Sequence, residues 1–339
     1  MRTLGLVLTL ISFAALAPAA EHASWEAYIK ANRYVCPGPF DTLKTPREIT
    51  LAGKKYKHSG YRLEVENPDA DSKVVIGVMS AIKDTSDGTK QNVKNAFAWF
   101  KAEGVEWVVA NGDLALEELD LEEVVDLLAA EGLPLLVILG NSESKGSFAR
   151  VFAEREAKYP NLVNGVWVRQ VVADDVELWT LPGYSDRRFV HQGAGCLYKP
   201  EDVDLMVKTM TPAGKAPLLL VSHGPPQGKG KTALDWMAEK INVGDDKINS
   251  LIDKKKIPFG LFGHILEAGG NAVGKDLSAP VKANTPVASL YLNAGSLAGD
   301  PWGMNDGSTA TGMAFIVTLD GGKAKYEIKR FKPTAEDSD

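Results

Sequence analysis

The sequence predicts an α/β fold in which mostly parallel strands are joined by helices. From Lys73 onward, short apolar runs alternate with amphipathic segments of helical periodicity. The clearest run is 217–222, whose length and unbroken apolar character are typical of a strand buried on both faces. It leads into His223 and then a Gly-Pro-Pro turn. Because open α/β sheets place ligand chemistry at the carboxyl ends of their strands, His223 is a candidate site residue.

Composition and charge narrow the function classes. The chain has 339 residues, of which 45% are apolar and 24% charged, as in ordinary globular proteins. The length fits one large domain or two small ones. The formal net charge of −6 argues against a nucleic-acid partner, which needs a basic surface. Phosphate chemistry in such a chain would depend on cations supplied locally.

The N-terminus has the pattern of a targeting segment. Arg2 precedes the apolar stretch 4–17, and Ala17-Pro18-Ala19 forms a small-residue cleavage motif. The stretch is shorter than the roughly 20 residues that span a membrane. We expect residues 1–20 to be a cleaved signal peptide, with export to a periplasm or the extracellular space and no stable membrane span after cleavage. A membrane anchor is the alternative.

Residues 21–72 are predicted to form an N-terminal extension. The spacing of Trp25 and its apolar neighbours predicts a helix over 25–34. Segments 48–51 and 61–65 alternate apolar and polar residues, which predicts a β-hairpin or a pair of edge strands.

The chain has two cysteines, Cys36 and Cys196. In an exported protein an even number permits a disulfide, which would tie the extension to the body of the fold. The spacing leaves two unpaired thiols equally open.

Residues 73–332 form the predicted main domain, and 333–339 a loose polar tail. The strands predicted for this domain are 74–80, 107–110, 133–139, 166–172, 177–181, 217–222, 259–262, 289–292, 313–318 and 326–331. The predicted helices are 90–103, 119–131, 148–158, 201–210, 232–241 and 246–255.

Four strand-end residues share metal-binding chemistry: Asp113, Asn141, His223 and His264. Each follows an apolar run and has a glycine beside it, which lets backbone approach an ion closely. A carboxylate, an amide oxygen and two imidazoles suit Zn²⁺ or another transition metal. We call these four residues the four-ligand cluster.

The motifs GD, GN, SHGPP, GHI-x-EAGG and NAGSL occur in this order, and the series resembles the calcineurin-like metallophosphoesterases. The resemblance covers roughly Lys73 to Phe331. It implies a four-layer αββα sandwich with two mixed β-sheets. It also implies a site at the strand ends that hydrolyses phosphate esters with two metal ions.

The sequence departs from the family pattern at four positions, which we call the substituted positions. Ala81 and Lys83 stand where the family has Asp and His, and Ser142 and Leu266 each replace a His. The resemblance implies that Ala81, Lys83 and Leu266 stand where the family has ligands of the first metal. It implies that Ser142 stands where the family has a catalytic histidine. The second metal's ligands, which are the four-ligand cluster, are all present.

The resemblance therefore implies one divalent metal (Mn, Fe or Zn), and a second metal is not expected. Lys83 would place its ammonium in or near the vacated first position; a solvated lysine is the alternative. We expect an exported phosphoesterase-fold protein with weak or altered hydrolase activity toward a phosphorylated small molecule. A non-catalytic relative that binds a ligand or a partner is the second possibility.

Overall fold

The computed structural model describes residues 19–69, 71–191 and 194–332. Most of the predicted signal peptide and the whole predicted tail 333–339 therefore lie outside the described residues. None of the helices in the described part of the chain is long and apolar enough to cross a membrane.

The α-helices are α1 (Trp25–Asn32), α2 (Asp87–Ala102), α3 (Glu118–Ala129), α4 (Lys145–Lys158), α5 (Pro200–Thr209) and α6 (Asp246–Lys255). The strands are β1 (Glu21–His22), β2 (Thr42–Leu43), β3 (Arg47–Leu51), β4 (Lys54–His58), β5 (Arg62–Val65), β6 (Lys73–Met79), β7 (Trp107–Asn111), β8 (Leu135–Ile138), β9 (Leu162–Asn164), β10 (Gln170–Val172), β11 (Glu177–Leu181), β12 (Leu218–Ser222), β13 (Phe259–Phe262), β14 (Ala272–Val273), β15 (Leu290–Asn293), β16 (Trp302–Gly303), β17 (Thr309–Ala310), β18 (Met313–Asp320) and β19 (Lys323–Arg330).

Two large mixed sheets form the centre of the molecule. One has six strands in the order β19-β18-β6-β7-β8-β9, with β6 to β9 parallel and β18 antiparallel to β6. The other has nine strands in the order β14-β15-β13-β12-β11-β10-β5-β4-β3, with a parallel centre from β11 to β15. The strand–helix alternation of the sequence corresponds to these parallel segments.

The alternation of side chains along β12 defines the layers. Leu219 and Val221 belong to a core that contains residues of both sheets and of α2, α3 and α4. Leu218 and Leu220 belong to a second core, which α5 and α6 cover. Each buried aliphatic side chain of this kind contributes about 1.5–3 kcal/mol. The two sheets thus lie face to face with helices outside them, which confirms the four-layer αββα sandwich.

The helices that cover the six-stranded sheet form where the sequence predicts them. The Ser86 side chain caps α2 by accepting a hydrogen bond from the backbone N–H of Thr89 at 3.3 Å. The stripe Val93, Phe97 and Phe100 is fully buried in the core between helix and sheet. This packing fixes the position of β6 and β7, whose ends lead into the candidate site.

The N-terminal extension is joined to the main sheet. Its strands β3, β4 and β5 form a meander, and β5 pairs in parallel with β10. The predicted pair of strands therefore has a third member, β4, in which exposed lysines alternate with buried Tyr56 and His58. Cys36 and Cys196 form a disulfide with a Cα–Cα distance of 5.5 Å, which ties the extension to the loop after β11.

The strand predicted at 166–172 is wrong in its extent, because the chain changes sheets there. β9 belongs to the six-stranded sheet and β10 to the nine-stranded sheet. The turn between them is built by Asn164, whose side-chain oxygen accepts a hydrogen bond from the N–H of Val166 at 2.9 Å. Such local bonds from Asn compete with strand pairing.

The helix predicted at 232–241 is also wrong. The segment is a loop organised by Asp235, which is fully buried. Its carboxylate accepts hydrogen bonds from the backbone N–H groups of Gly228 at 3.1 Å and Gly244 at 2.9 Å, and from the Asn242 amide at 2.7 Å. The carboxylate thus replaces the backbone bonds that a helix would have made.

Candidate metal centre

The structure brings the four-ligand cluster together at the carboxyl ends of four strands. Asp113 follows β7 and Asn141 follows β8, both in the six-stranded sheet. His223 and His264 follow β12 and β13 of the nine-stranded sheet. The cluster therefore lies where the ends of the two sheets meet. Ligand atoms of Asp113, His223 and His264 all lie within 4.8 Å of one another.

The Asn141 side chain is at the centre of the cluster. Its Oδ1 lies 2.7 Å from His223 Nε2 and 2.7 Å from His264 Nδ1. Its Nδ2 donates to the carbonyl oxygen of Phe189 at 2.6 Å. This donor bond sets the orientation of the amide and turns its oxygen toward both imidazoles.

The hydrogen bonds of His223 indicate its tautomer. The fully buried ring donates from Nδ1 to the carbonyl oxygen of Asn111 at 2.9 Å. Its Nε2 then carries a lone pair and faces two acceptors, Asn141 Oδ1 and Asp113 Oδ1, the latter at 3.2 Å. An imidazole lone pair that faces two oxygen acceptors is stabilised by a cation between them.

Asp113 has a left-handed backbone conformation, with φ of 56°. Its Oδ1 accepts hydrogen bonds from the backbone N–H groups of Asn141 and Ser142, both at 3.1 Å. Burial alone would raise the pKa of this carboxyl, but the imidazoles of His223 and His264 and the bonds from Ser142 outweigh burial and lower the pKa. Asp113 is therefore held as a carboxylate.

His264 also has a left-handed backbone, with φ of 68°. Its ring packs on Tyr184 with a centroid distance of 3.9 Å and meets the edge of Phe189 at 5.3 Å. Burial, followed by the effect of His223, lowers the pKa of His264 to about 3. The ring is thus neutral near pH 7, as a metal ligand must be. Its Nε2 is buried without a hydrogen-bond partner among the described residues.

Gly112 allows the two sheets to approach each other at the site. Its φ is 81°, and a Cβ at this position would lie 2.6 Å from His223 Nδ1. That atom makes the bond to Asn111 which sets the tautomer, so a side chain at residue 112 would displace the imidazole. The glycine that precedes Asp113 in the sequence is explained by this contact.

Glu143 holds the two loops that carry Asp113 and Asn141, a role that the sequence did not predict. The buried carboxyl accepts hydrogen bonds from the backbone N–H groups of Leu114 and of Gly140, the latter at 2.9 Å. It thereby joins the loop after β7 to the loop after β8. Burial and then the charge of Asp113 raise the pKa of Glu143 to about 8. The signal in the sequence was a carboxylate placed two residues after Asn141.

Comparison with solved structures finds the same architecture. One solved structure is 15% identical and covers 78% of this chain and 100% of its own, with a TM-score of 0.53. The structure of TT1561 of Thermus thermophilus is 14% identical and covers 75% of this chain and 98% of its own, with a TM-score of 0.50.

A third solved structure, a dimetal phosphatase from Danio rerio, is 11% identical and covers 78% of this chain and 100% of its own, with a TM-score of 0.47. No protein-family model and no curated protein matches the sequence. This chain has the calcineurin-like metallophosphoesterase fold. At such low identities the likeness concerns the fold, and function has to be argued from the site.

In this phosphoesterase fold the substituted positions offer little to a metal. Ala81 is fully buried, and its backbone N–H donates to the carbonyl oxygen of Gly112 at 2.9 Å. Leu266 is buried at the start of a 3₁₀ turn (Leu266–Ala268). The Lys83 ammonium lies 4.7 Å from the ring centroid of Trp302, and within the described residues it forms no ion pair with Asp113. The placement of Lys83 in the first metal position stays a prediction.

Proposed function

We propose that this chain is an exported protein of the phosphoesterase fold that holds one divalent metal at the four-ligand cluster. In this proposal it hydrolyses phosphoesters of small molecules weakly or with altered specificity. The observation that carries the proposal is the position of Asn141 Oδ1, 2.7 Å from nitrogen atoms of both imidazoles. Such a convergence of acceptors has a physical reason if a cation binds among them.

The chemistry of the cluster fits a transition metal. Two imidazole nitrogens, one amide oxygen and one carboxylate form a mixed N/O set of the kind that Zn, Mn or Fe accepts. The Nδ1–H bond of His223 to Asn111 is the outer bond that orients a ligating imidazole. The lowered pKa of Asp113 keeps its carboxylate ready to bind a cation.

A bound metal would act as a Lewis acid toward a phosphoryl oxygen. The chain's own residues prepare for this by holding ligands at fixed positions. Asn141 is locked through Phe189, and His264 is held against Tyr184. Because His264 is the most exposed member of the cluster, a substrate would approach from its side.

Hydrolysis needs a proton donor for the leaving group, and Ser142 stands where the family has a histidine. A serine hydroxyl is a poor acid near neutral pH. We therefore expect the turnover to be weak.

The second candidate function is binding without catalysis. It is favoured by Ala81 and Leu266, two buried apolar side chains at positions where the family supplies metal ligands. A single metal in such a site would hold a phosphorylated ligand or shape the rim for a partner. The loss of a second metal also removes one of the two charges that clamp an in-line displacement.

Turnover of bis(4-nitrophenyl) phosphate at increasing Mn²⁺ concentration separates the two functions. The hydrolase proposal expects saturable, metal-dependent turnover that is abolished in Asp113→Ala. His58→Asn is the matched control, because this buried histidine contacts Arg47 and Gly60 instead of the cluster. Equal background rates in the parent and Asp113→Ala would leave binding as the function.

A further inference from the structure

Another buried carboxylate, that of Asp41, accepts hydrogen bonds from residues near the N-terminal end of the described chain. Its Oδ1 accepts a hydrogen bond from the backbone N–H of Ala20 at 2.8 Å. Its Oδ2 accepts from His22 Nε2 at 2.8 Å and from the Asn32 amide at 3.2 Å. Asp41 is only 7% exposed. Three donors from three different segments thus meet on one carboxylate.

The strand register brings Ala20 to this carboxylate. β1 pairs in parallel with β2, and the N–H of Thr42 donates to the carbonyl oxygen of Ala20 at 2.9 Å. Asp41 immediately precedes β2, so its side chain lies beside the nitrogen of Ala20. Ser24 then begins α1 by accepting a bond from the N–H of Ala27 at 3.3 Å. Ala20 is therefore a fixed point of the fold.

The charge of Asp41 has no permanent counterion in the part of the chain that the structure describes. Its one ion-pair partner there is His22, which is positive only when protonated. A buried carboxylate without a positive partner is costly. Removal of the residues before Ala20 would supply that charge, as the α-ammonium of Ala20.

Ala17 and Ala19 are the small residues at the third and first positions before Ala20, which is the pattern that a signal peptidase cuts. We propose that the chain is cleaved between Ala19 and Ala20 and that Asp41 is the receptor for the new N-terminus. Water adds across the peptide bond, so that Ala19 keeps the carboxylate and the nitrogen of Ala20 leaves as an amine that takes up a proton. The cut lies one residue before the end of the predicted segment 1–20.

Cleavage would replace the uncharged amide donor of this hydrogen bond by an ammonium, so that an ion pair forms at the same place. The ammonium of Ala20 would lie where its backbone nitrogen already is, 2.8 Å from Asp41 Oδ1. The hydrogen bond would then gain the attraction between two opposite charges, which is larger at a partly buried site than in bulk water. The processed chain is therefore more stable than a chain that continues upstream of Ala20. Processing rests on the proposed export, whereas the Asp41 contact does not.

The test begins with the full-length precursor, expressed with its own leader. N-terminal sequencing of the exported protein is expected to give Ala20. A second precursor carries Gly-Ser inserted between Ala19 and Ala20, which keeps the cleavage motif and moves the ammonium two residues away from Asp41. The insertion is expected to lower the thermal midpoint by about 2–4 °C.

In Asp41→Asn, the same insertion is expected to change the thermal midpoint by less than about 1 °C. The control is Glu21→Gln, which removes an exposed carboxylate on β1. In this control the insertion should still lower the midpoint by about 2–4 °C. If Asp41→Asn does not fold, labelling with an amine reagent replaces it: the α-amine of Ala20 should react at least about 10-fold more slowly than that of the inserted glycine.

A start at Glu21 or later, equal midpoints with and without the insertion, or equal labelling rates would each overturn the proposal. An exported protein that keeps Met1 would refute the processing and favour the membrane anchor. Metal content, measured separately, would still decide the function of the four-ligand cluster.

Discussion

The four-ligand cluster and the substituted positions lie at neighbouring strand ends but differ in what their side chains do. In the cluster, Asn141 Oδ1 lies 2.7 Å from both imidazoles. At the substituted positions, Ala81 is a buried methyl group and Lys83 lies against Trp302. Polar atoms converge in one half of the site and not in the other.

The backbone does not share this difference. Asp113 and His264 have left-handed φ angles of 56° and 68°, and Ala81 and Lys83 have similar values of 46° and 69°. Each such residue costs roughly 1–3 kcal/mol, which the surrounding packing supplies. The two halves therefore share left-handed backbone and differ in their side chains.

The strongest test of this comparison rebuilds the first metal position. The triple variant Ala81→Asp, Lys83→His, Leu266→His is expected to bind a second equivalent of Mn²⁺. It should raise phosphodiester turnover by about 10²–10³-fold, because a Lewis acid supplies several kcal/mol of transition-state stabilisation. Elemental analysis and initial rates measure the two effects.

The matched control for the rebuilt site carries Ala81→Asn, Lys83→Gln and Leu266→Gln, which have similar volumes but weaker ligands. It should keep one equivalent and the parent's rate. A folded triple variant with no additional metal would mean that the backbone at Ala81 and Lys83 no longer has ligand geometry.

Gly112→Ala tests the retained half. A Cβ would lie 2.6 Å from His223 Nδ1, so the substitution should lower metal affinity about 10–100-fold, as loss of an orienting bond does. The control is Gly132→Ala, whose φ of 83° matches the 81° of Gly112 but whose Cβ would contact nothing within 4 Å. Both variants lose about 1–2 kcal/mol of stability to backbone strain. If metal titrations give equal affinities, His223 is not held as described.

Glu156 lies outside both halves of the site and makes the stability of the fold depend on pH. Burial raises the pKa of Glu156 from 4.5 to about 7. The hydrogen bond from the N–H of Asn164 lowers the pKa by a smaller amount. The folded state therefore binds this proton more tightly than the unfolded state, and its contribution to stability is lost as pH rises through 7.

Glu156→Gln should remove the loss of stability that accompanies ionisation of Glu156 as the pH rises. Relative to the parent, the variant should gain about 1–2 kcal/mol in unfolding free energy between pH 4 and pH 8. Urea titrations at the two pH values measure the change, with the exposed Glu154→Gln as control. A parallel pH profile for parent and variant would assign the dependence to other groups.

Lys83→Gln should have the smallest effect. The ammonium is partly exposed over Trp302, so its electrostatic contribution to a bound phosphate is about 0.2–1 kcal/mol. Inhibition by inorganic phosphate should weaken about 2–5-fold while metal affinity stays the same. No change in phosphate inhibition would make Lys83 a surface residue without a role in the site.

Sequence alone predicted the parts of the fold that depend on local pattern. Continuous apolar runs predicted β7, β8, β12 and β13. The polar residues that follow these runs are the members of the four-ligand cluster. The strand β4 was missed because its lysines mask the alternation of Tyr56 and His58. The change of sheet at Asn164 and the loop around Asp235 depend on side-chain bonds to backbone groups that no periodicity encodes.

The support of the site was less predictable than its ligands. Phe189 fixes Asn141 across 48 residues of sequence, and Glu143 joins two loops through backbone N–H groups. Neither contact involves an apolar pattern or a strand end. Identifying them requires the distances between loops, which the fold alone determines.

The most direct test of the account is the metal content of the purified protein, measured by elemental analysis after incubation with Mn²⁺, Fe²⁺ or Zn²⁺. The account predicts about one equivalent in the parent, as expected from one set of four ligands. It predicts loss of that metal in His264→Ala and its retention in the control His58→Asn. An absence of bound metal in the parent, or an equal amount in His264→Ala, would contradict the central claim that the four-ligand cluster is a metal site.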